Sequence, residues 1–259
     1  MDLALEKQVV FVAGSSRGIG RSIGEALLSE GASVVLTGRD KSSLENTRIA
    51  FENAGHGARM LAIDGDFSIH GVIAPAIERT VQKFGRIDHL VVNLGSGAGK
   101  PGWDQGEQEW ARLFEHNFFA ATRLAETALP RLLANAGGGS ILFVASIVGV
   151  EATPAPLPYS AAKAALINYS KNLARQLGPS RVRVNTIAPG NVLFAGGSWE
   201  RRLSSHPADV ESMLLSEVPQ QRFGTPQEIA SLAVFLCSSR AAFCTGGCYV
   251  VDGGQTRSI

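Results

Sequence analysis

The sequence is poor in the residues that build disulfide frameworks and metal centres. It has three cysteines, Cys237, Cys244 and Cys248, which is an odd number without any C-x-x-C pair. Its five histidines are scattered and show no metal-ligand spacing. No metal site is therefore predicted. We expect buried thiols in a reducing compartment, and so a cytoplasmic protein.

A charge of one sign and long apolar runs are also lacking. The net charge is +1, with 24 basic and 23 acidic residues mixed along the chain, so there is no basic stripe for nucleic acid. No apolar run approaches the roughly 18 residues that a membrane span requires. The first residues mix both charges and are not typical of a signal peptide. We expect neither a nucleic-acid partner nor a membrane partner.

Short apolar strands alternate with helical patterns along the whole chain. The 259 residues, 45% of them hydrophobic, suit one domain spanning 1–259. Strand–helix alternation predicts an α/β, Rossmann-like doubly wound fold: a parallel sheet of about seven strands with helices on both faces. The predicted strands are Val9–Ala13, Ser33–Thr37, Arg59–Ile63, His89–Asn93, Ser140–Ser146, Val182–Ile187 and Cys248–Asp252.

Several helices are predicted between these strands. The pattern from Glu107 to Leu133 is interpreted as two helices that meet near Asn117. Another helix begins near Tyr159. Pro75 suggests that the helix before the fourth strand starts late or bends. A long connection, residues 190–218, is expected to form a lid over the substrate.

A glycine-rich turn follows the first strand and leads into a helix. Gly14 permits the tight turn, while Gly18 and Gly20 let the backbone approach a pyrophosphate and let the helix pack near the strand. This strand–turn–helix order predicts a dinucleotide site. A tight connection without any ligand is the alternative.

The end of the second strand indicates which dinucleotide is bound. An acidic residue there would bind the ribose 2′-hydroxyl of NAD, but the strand ends in Gly38 and Arg39. Arg39 and Arg17 are predicted to converge on a 2′-phosphate, which favours NADP, unless both are solvated surface residues. Asp40 is interpreted as a helix cap. An Asp40 that turned inward would favour NAD.

A tyrosine and a lysine four residues apart share one helical face. These are Tyr159 and Lys163, and Ser146 lies 13 residues upstream at the end of the fifth predicted strand. An unperturbed tyrosine has a pKa of about 10, and a neighbouring cation is expected to lower it toward neutrality. Ser146 could hold a substrate oxygen against the phenol. The alternative is a buried helix with an incidental Tyr and Lys.

In these motifs the chain resembles the short-chain dehydrogenase/reductase family over nearly its whole length. The resemblance implies hydride transfer between a nicotinamide and a carbonyl or secondary alcohol, with Tyr159 as general acid or base. It also implies that Ser146 binds the carbonyl oxygen, that Lys163 holds the nicotinamide ribose and that Asn117 relays protons through water. The matching motifs are Ala13–Gly20, Asn117, Ser146, Tyr159, Lys163, Asn185–Gly190 and Thr245–Gly254.

The resemblance implies a set of cofactor contacts as well. Asp66 is expected at the adenine, although capping the following helix is its alternative role. Pro189 and Gly190 are expected beside the nicotinamide. The whole cofactor-binding set is Gly14, Ser16, Arg17, Gly18, Ile19, Gly20, Arg39, Asp66, Phe67, Asn93, Gly95, Tyr159, Lys163, Pro189, Gly190 and Val192.

The chain departs from the family pattern at three places. The family usually has Asn-Asn-Ala-Gly after the fourth strand, and here the chain reads Asn93-Leu-Gly-Ser96. A glycine common after the Asn117 position is replaced by Ala120. The threonine often found shortly after Pro-Gly is missing from the stretch between Pro189 and Phe194. The backbone beside the cofactor and the binding of the carboxamide are expected to differ.

A small-molecule carbonyl or alcohol is the expected substrate, bound under the 190–218 connection and against Ser96–Trp103 and Val148–Leu157. A ketone, a sugar or a polyol would fit. An acyl carrier protein partner is possible but not favoured, because Leu132–Ser140 has no basic residue and only Arg131 lies nearby. The resemblance also implies a homotetramer. Its possible apolar contacts are Phe118, Phe119, Tyr169 and Phe243.

Two alternative functions stay open at this point. One is an NAD-dependent alcohol or sugar dehydrogenase. The other is a non-catalytic NADP-binding regulatory protein, which would need a broken catalytic set, whereas all four polar residues are present.

Overall fold

A computed structural model describes residues 2–100 and 102–258, and within them seven strands form one parallel sheet. The strand order is β3-β2-β1-β4-β5-β6-β7, as a doubly wound fold requires, and the predicted fold class is confirmed. The strands are β1 Val9–Ala13, β2 Ser33–Gly38, β3 Met60–Asp64, β4 His89–Val92, β5 Gly139–Val144, β6 Val182–Pro189 and β7 Cys248–Val251.

Helices connect successive strands and cover both faces of the sheet. A π-helical turn, Glu115–Phe119, joins two of them. The helices are α1 Gly18–Ser29, α2 Lys41–Phe51, α3 His70–Phe84, α4 Gly106–Phe114, α5 Ala120–Leu133, α6 Leu157–Leu177, α7 Ser198–Ser205, α8 Pro207–Glu217 and α9 Pro226–Cys237.

The core consists of two layers, one on each face of the sheet. Successive side chains of a strand point to opposite faces. Val10 and Val12 of β1 therefore join the layer under α1 and α9, while Phe11 and Ala13 join the layer under α3, α5 and α6. All five β1 residues are buried, which explains its uninterrupted apolar run. Fully burying a residue such as Phe11 contributes about 1.5–3 kcal/mol.

The strand order reverses between β1 and β4, and this switch point is where a doubly wound fold binds ligands. The turn after β1 and the chain leaving β4 lie side by side there. Asn93 Nδ2 donates to the carbonyl oxygen of Gly14 over 2.8 Å. This hydrogen bond joins the glycine-rich turn to the end of β4, so the two segments that border the switch point are held together.

Some predicted boundaries and positions differ from the structure. Helix α6 begins at Leu157, two residues before Tyr159, because Pro158 suits the first turn of a helix. Helix α3 begins at His70 and contains Pro75, so the late start predicted for it is wrong. The 190–218 connection contains α7 and α8.

The expectation of buried thiols holds for one cysteine only. Cys237 is buried, whereas Cys244 is partly exposed and Cys248 is exposed on β7. Among residues 2–100 and 102–258, no helix has the length and apolarity needed to cross a membrane. The same residues contain no cluster of three or more His, Cys, Asp or Glu side chains suited to a metal ion.

Candidate active site

The glycine-rich turn is shaped by close backbone contacts. Gly14 has φ +71°, and a Cβ on it would collide with the carbonyl oxygen of Asn93. A Cβ on Gly20 would collide with the carbonyl oxygen of Gly14. Two buried hydroxyls brace the turn: Gly14 N–H donates to Thr37 Oγ1 over 3.0 Å, and Thr37 N–H donates to Ser15 Oγ over 2.8 Å. Sequence analysis missed this hydroxyl pair, whose only signal is two polar residues beside apolar strands.

The first turn of α1 fits a diphosphate. Arg17 precedes the helix in an extended conformation, and no side chain caps the helix there. The first amides of α1 therefore have no side-chain cap, and the positive end of the helix dipole favours an anion there. Ile19 packs its side chain against the core, so only its backbone is available to a ligand. These residues are suited to the dinucleotide that the fold family implies.

Asp40 caps α2, as predicted. Its Oδ1 accepts hydrogen bonds from Ser43 N–H over 2.7 Å and from Ser42 Oγ over 2.9 Å. These bonds, the ones from Ser43 first, lower the pKa of Asp40 to about 2. The carboxylate is therefore ionised and committed to its own helix. Gly38 packs against Ser16, because a Cβ on Gly38 would lie 2.7 Å from Ser16 Cβ.

Asp66 lies at the C-terminal edge of the sheet, close to Arg39. Its Oδ1 accepts hydrogen bonds from Ser68 N–H over 3.0 Å and from Ser68 Oγ over 2.7 Å. Burial raises the pKa of Asp66, but the Ser68 hydrogen bonds and the charge of Arg39 outweigh it, so the pKa is lowered. Asp66 thus stabilises a turn before α3 and does not cap that helix. Phe67 is buried in edge contact with Phe11, which leaves its backbone for a ligand.

Arg17 contacts the 190–218 connection in this structure. Its Nη1 donates to the carbonyl oxygen of Gly196, in the 190–218 connection, over 3.0 Å. Its charge still helps to lower the pKa of Asp40, which places it within electrostatic range of the end of β2. A shared grip of Arg17 and Arg39 on a 2′-phosphate stays a prediction.

Tyr159 and Lys163 lie one turn apart on α6, beside the end of β5. The Tyr159 hydroxyl shares a hydrogen bond with the Ser146 side chain. Lys163 is almost completely buried, and its Nζ donates to the carbonyl oxygens of Val144 over 3.0 Å and Leu94 over 3.3 Å. The lysine is therefore held between the C-terminal ends of strands β4 and β5. These two carbonyl partners carry no signal in the sequence, because backbone acceptors are present at every position.

The pKa values of this pair differ from the sequence prediction. Burial raises the pKa of Tyr159, against the smaller lowering effect of the Ser146 hydrogen bond. Burial lowers the pKa of Lys163 to about 8. The prediction that Lys163 lowers the pKa of Tyr159 is wrong for the protein alone, because desolvation of the phenol dominates and the ammonium is directed at two carbonyl oxygens. A neutral phenol is suited to giving up a proton.

Asn117 lies fully buried in the π-helical turn between α4 and α5. Its Oδ1 accepts from Ser96 N–H over 3.0 Å, and its Nδ2 donates to the carbonyl oxygens of Leu113 and Ser96 over 2.9 and 3.1 Å. Gly95 has φ +135°, and a Cβ there would clash with Asn117 Oδ1 and lie 3.1 Å from Lys163 Nζ. The chain after β4 thus brings Asn117 and Lys163 together. A single π-turn is common at functional sites.

Three further predicted residues close this part of the site. Gly190 N–H donates to the carbonyl oxygen of Val251 over 3.0 Å, and a Cβ on Gly190 would lie 2.7 Å from Asp252 Cβ. Pro189 ends β6 directly before it. Val192 is buried and forms a parallel bridge with Gly224, so its side chain faces away from solvent.

Gly97 belongs to Ser96–Trp103, the stretch predicted to lie against the substrate, although no single residue of that stretch was named. A Cβ on Gly97 would lie 3.4 Å from Cε1 of the Tyr159 ring, which places the glycine-rich stretch after β4 against the tyrosine. Arg112 Nη2 donates to the carbonyl oxygen of Ala98 over 2.7 Å and fixes the same stretch from α4. The signal was present in the repeated glycines of residues 95–99.

The aromatic residues expected at subunit contacts divide into two groups. Tyr169 packs in edge geometry on Phe118 and Phe143, and is part of the core. Phe119 is 45% exposed and Phe243 is fully exposed. Of the four aromatic residues named for subunit contacts, Phe119 and Phe243 are therefore the exposed ones.

Comparison with known proteins gives a consistent result. The family model described as Enoyl-(Acyl carrier protein) reductase matches residues 13–256. The 3-oxoacyl-[acyl-carrier-protein] reductase FabG of Salmonella typhimurium is 34% identical and covers 98% of this chain and 99% of its own.

Solved structures show the same similarity in three dimensions. The L-sorbose reductase from Gluconobacter frateurii, complexed with NADPH and L-sorbose, superposes with a TM-score of 0.92 at 32% identity over 100% of both chains. A 7α-hydroxysteroid dehydrogenase complexed with NADH and 7-oxo glycochenodeoxycholic acid gives a TM-score of 0.89 at 30% identity, covering 99% of this chain and 97% of its own.

Proposed function

Since this oxidoreductase chain belongs to the short-chain dehydrogenase/reductase family, we propose that it interconverts a carbonyl compound and a secondary alcohol with NADP as its cofactor. The observation that carries the proposal is the group formed by Tyr159, Ser146, Lys163 and Asn117 beside the switch point. When bound, the nicotinamide supplies or accepts the hydride. The chain's own residues position the substrate oxygen and move the proton.

Tyr159 is proposed as the general acid in reduction and the general base in oxidation. The phenol is protonated at neutral pH, so a proton is present for the oxygen on which negative charge develops. Burial raises the pKa of Tyr159 and makes it a weaker acid in the protein alone, so binding of cofactor and substrate would have to offset that shift. Ser146, hydrogen-bonded to the same hydroxyl, offers a second donor to that oxygen. Two donors that converge on one oxygen both orient the carbonyl and stabilise its developing charge.

Lys163 and Asn117 are proposed to support that proton transfer. Lys163 would stabilise a phenolate at Tyr159 only after its ammonium turns from the carbonyl oxygens of Val144 and Leu94 toward the phenol. With a pKa lowered by burial to about 8, Lys163 can itself exchange a proton near neutral pH. Asn117, held against Lys163 by the turn at Gly95, provides the next polar group on the path to solvent.

NADP is favoured over NAD by the end of β2. Asp40 is the carboxylate that would compete for a ribose hydroxyl, and it is occupied by Ser42 and Ser43. Arg39 follows Gly38 at the same edge and is exposed, near Asp66, with Arg17 within electrostatic range of Asp40. The sorbose reductase complex with NADPH supports this choice. The steroid dehydrogenase complex with NADH supports an NAD-dependent dehydrogenase as the second candidate.

The substrate is proposed to be a small ketone, sugar or polyol. It would lie beside Gly97 and Tyr159, with residues 190–218 as the lid. The similarity to FabG supports a carrier-protein thioester as a further substrate, although few basic residues lie near β5. A homotetramer with Phe119 and Phe243 at its contacts, a single domain and a cytoplasmic location stay predictions.

The test is oxidation of NADPH and of NADH, followed at 340 nm with a panel of ketones and ketoses and in reverse with the matching alcohols. We expect turnover with at least one carbonyl substrate and a higher kcat/KM with NADPH. A protein that binds NADPH but turns over no carbonyl or alcohol would favour the regulatory alternative. A higher kcat/KM with NADH would favour the second candidate.

A further inference from the structure

A tight turn in the 190–218 connection rests on the glycine-rich turn after β1. Gly197 N–H donates to the carbonyl oxygen of Phe194 over 3.0 Å, which closes a four-residue turn. The Phe194 ring then covers Gly18, since a Cβ on Gly18 would lie 2.6 to 2.8 Å from three of its ring atoms. We call residues 194–197 the Phe194 turn. Its ring lies where the first residue of α1 would meet a ligand.

Two charged side chains hold the Phe194 turn in place. Arg17 Nη1 donates to the carbonyl oxygen of Gly196 over 3.0 Å, and Gly196 N–H donates to Glu200 Oε2 over 2.7 Å. The backbone carbonyl oxygen and the N–H of the exposed Gly196 are thus both hydrogen-bonded. The oxygen is bound from the glycine-rich turn and the N–H from α7. Arg17 is also a residue that the proposed function assigns to the cofactor phosphate, so it has two competing acceptors.

The base of the Phe194 turn is fixed separately from its tip. Leu193 N–H donates to the carbonyl oxygen of Gly224 over 3.0 Å, and Gly224 N–H donates to the carbonyl oxygen of Asn191 over 2.9 Å. Beyond this anchor the turn contains Gly196, with φ +75°, and Gly197. Two glycines allow large backbone rotations at small cost. The tip can therefore leave Gly18 while its base stays bound to Gly224.

We propose that Phe194 and a dinucleotide compete for the surface of Gly18, so that Phe194 sets how tightly and how fast the protein binds its nicotinamide cofactor. The inference rests on the proposed function. A diphosphate must come within hydrogen-bonding distance of the amides at the start of α1, and a phenyl ring on Gly18 both blocks that approach and accepts none of those hydrogen bonds. Binding then requires the Phe194 turn to withdraw and Arg17 to exchange Gly196 for the cofactor.

Competition between Phe194 and the cofactor should change the apparent dissociation constant by a measurable factor. When only a fraction of the protein is open, the apparent dissociation constant is the intrinsic one divided by that fraction. If about nine molecules in ten hold the ring on Gly18, removing the ring tightens binding about tenfold. The opening step also limits the association rate, so the observed rate should level off at high cofactor concentration.

The experiment compares the wild type with Phe194→Ala and Phe194→Thr, using NADPH and NADH as probes. Dissociation constants come from fluorescence titration, and association rates come from stopped-flow fluorescence at rising cofactor concentration. The matched control is Leu215→Ala, which shortens a 57% exposed residue of α8 in the same connection. Thermal unfolding by circular dichroism verifies that each variant is folded, and the threonine variant replaces the half-buried ring with a small polar side chain.

We expect both Phe194 variants to bind NADPH about tenfold more tightly, with an observed rate that no longer levels off, and Leu215→Ala to match the wild type. Suppose that the wild type binds NADPH and that the folded Phe194 variants bind it equally well or more weakly. That result would overturn this inference and leave the proposed function standing. If neither dinucleotide binds the wild type or any variant, the proposed function itself is refuted and this inference with it.

Discussion

Replacing His89 with asparagine should reduce the loss of stability that this protein suffers in acid. His89 begins β4, at the opposite end of the sheet from the glycine-rich turn, and its Nδ1 lies 2.9 Å from Ser140 Oγ. Burial first, and then the charges of Arg183 and Arg86, lower the pKa of His89 from 6.5 to about 3. The folded protein therefore keeps this imidazole neutral in acid, where the unfolded chain protonates it.

The direction and size of the stability change follow from the difference between the pKa values of His89 in the folded and unfolded states. Below pH 6.5 the unfolded state binds one proton more than the folded state, so stability falls as the pH falls from 6.5 to about 3. Above pH 6.5 the imidazole is neutral in both the folded and the unfolded state, so His89 adds no pH dependence to the free energy of unfolding. One pH unit within the window corresponds to about 1.4 kcal/mol, so His89 accounts for about 2 kcal/mol of loss between pH 7 and pH 5.

The assay is urea unfolding at pH 7, 6 and 5, at one protein concentration, for the wild type and His89→Asn. Carboxylates titrate equally in both proteins, so the difference between their pH slopes isolates the imidazole. The control for replacing a histidine outside the core is His70→Asn, at an exposed position at the start of α3. A His89→Asn protein that loses as much stability as the wild type between pH 7 and pH 5 would refute the reasoning.

Three other predictions concern the proposed reaction. Tyr159→Phe should lower kcat about a thousandfold while NADPH still binds, and near-normal turnover would contradict the assigned acid–base role. Arg39→Ala should raise the KM for NADPH about tenfold or more and leave NADH nearly unchanged; equal effects on both would argue against a phosphate contact. Gly38→Asp should shift the kcat/KM ratio toward NADH only together with Ser16→Gly, because a Cβ on Gly38 meets Ser16 at 2.7 Å. A full switch by Gly38→Asp alone would contradict that geometry.

The parts of the fold that local chemistry decides could be predicted from the sequence. Val9–Ala13 was predicted with its observed limits because a strand buried on both faces needs an uninterrupted apolar run. Asp40 was predicted as a cap because aspartate at that position binds the free amides of the next helix. Both outcomes depend on residues within a few positions of each other.

The parts that depend on distant packing could not be predicted. The raised pKa of Tyr159 arises from burial by segments far away in the sequence, and the one visible neighbour, Lys163, pointed to the opposite direction. Arg17 was expected at the ribose, yet its partner is Gly196, 179 positions further along the chain. Spacing reveals which residues share a helix face but not which carbonyl oxygens a cation will find.

The π-helical turn at Glu115–Phe119 changes the side-chain register between α4 and α5 within one continuous helical segment. One residue more than an α-helical turn needs is accommodated there, so α4 and α5 present faces that a regular helix could not present together. Deleting one residue of the turn would return the segment to regular α-helical winding and remove the wide turn in which Asn117 lies. Ala121, Leu124 and Ala128 of α5 follow the turn and lie in the core. The place of Asn117 in the site therefore depends on the number of residues in this segment as well as on their identity.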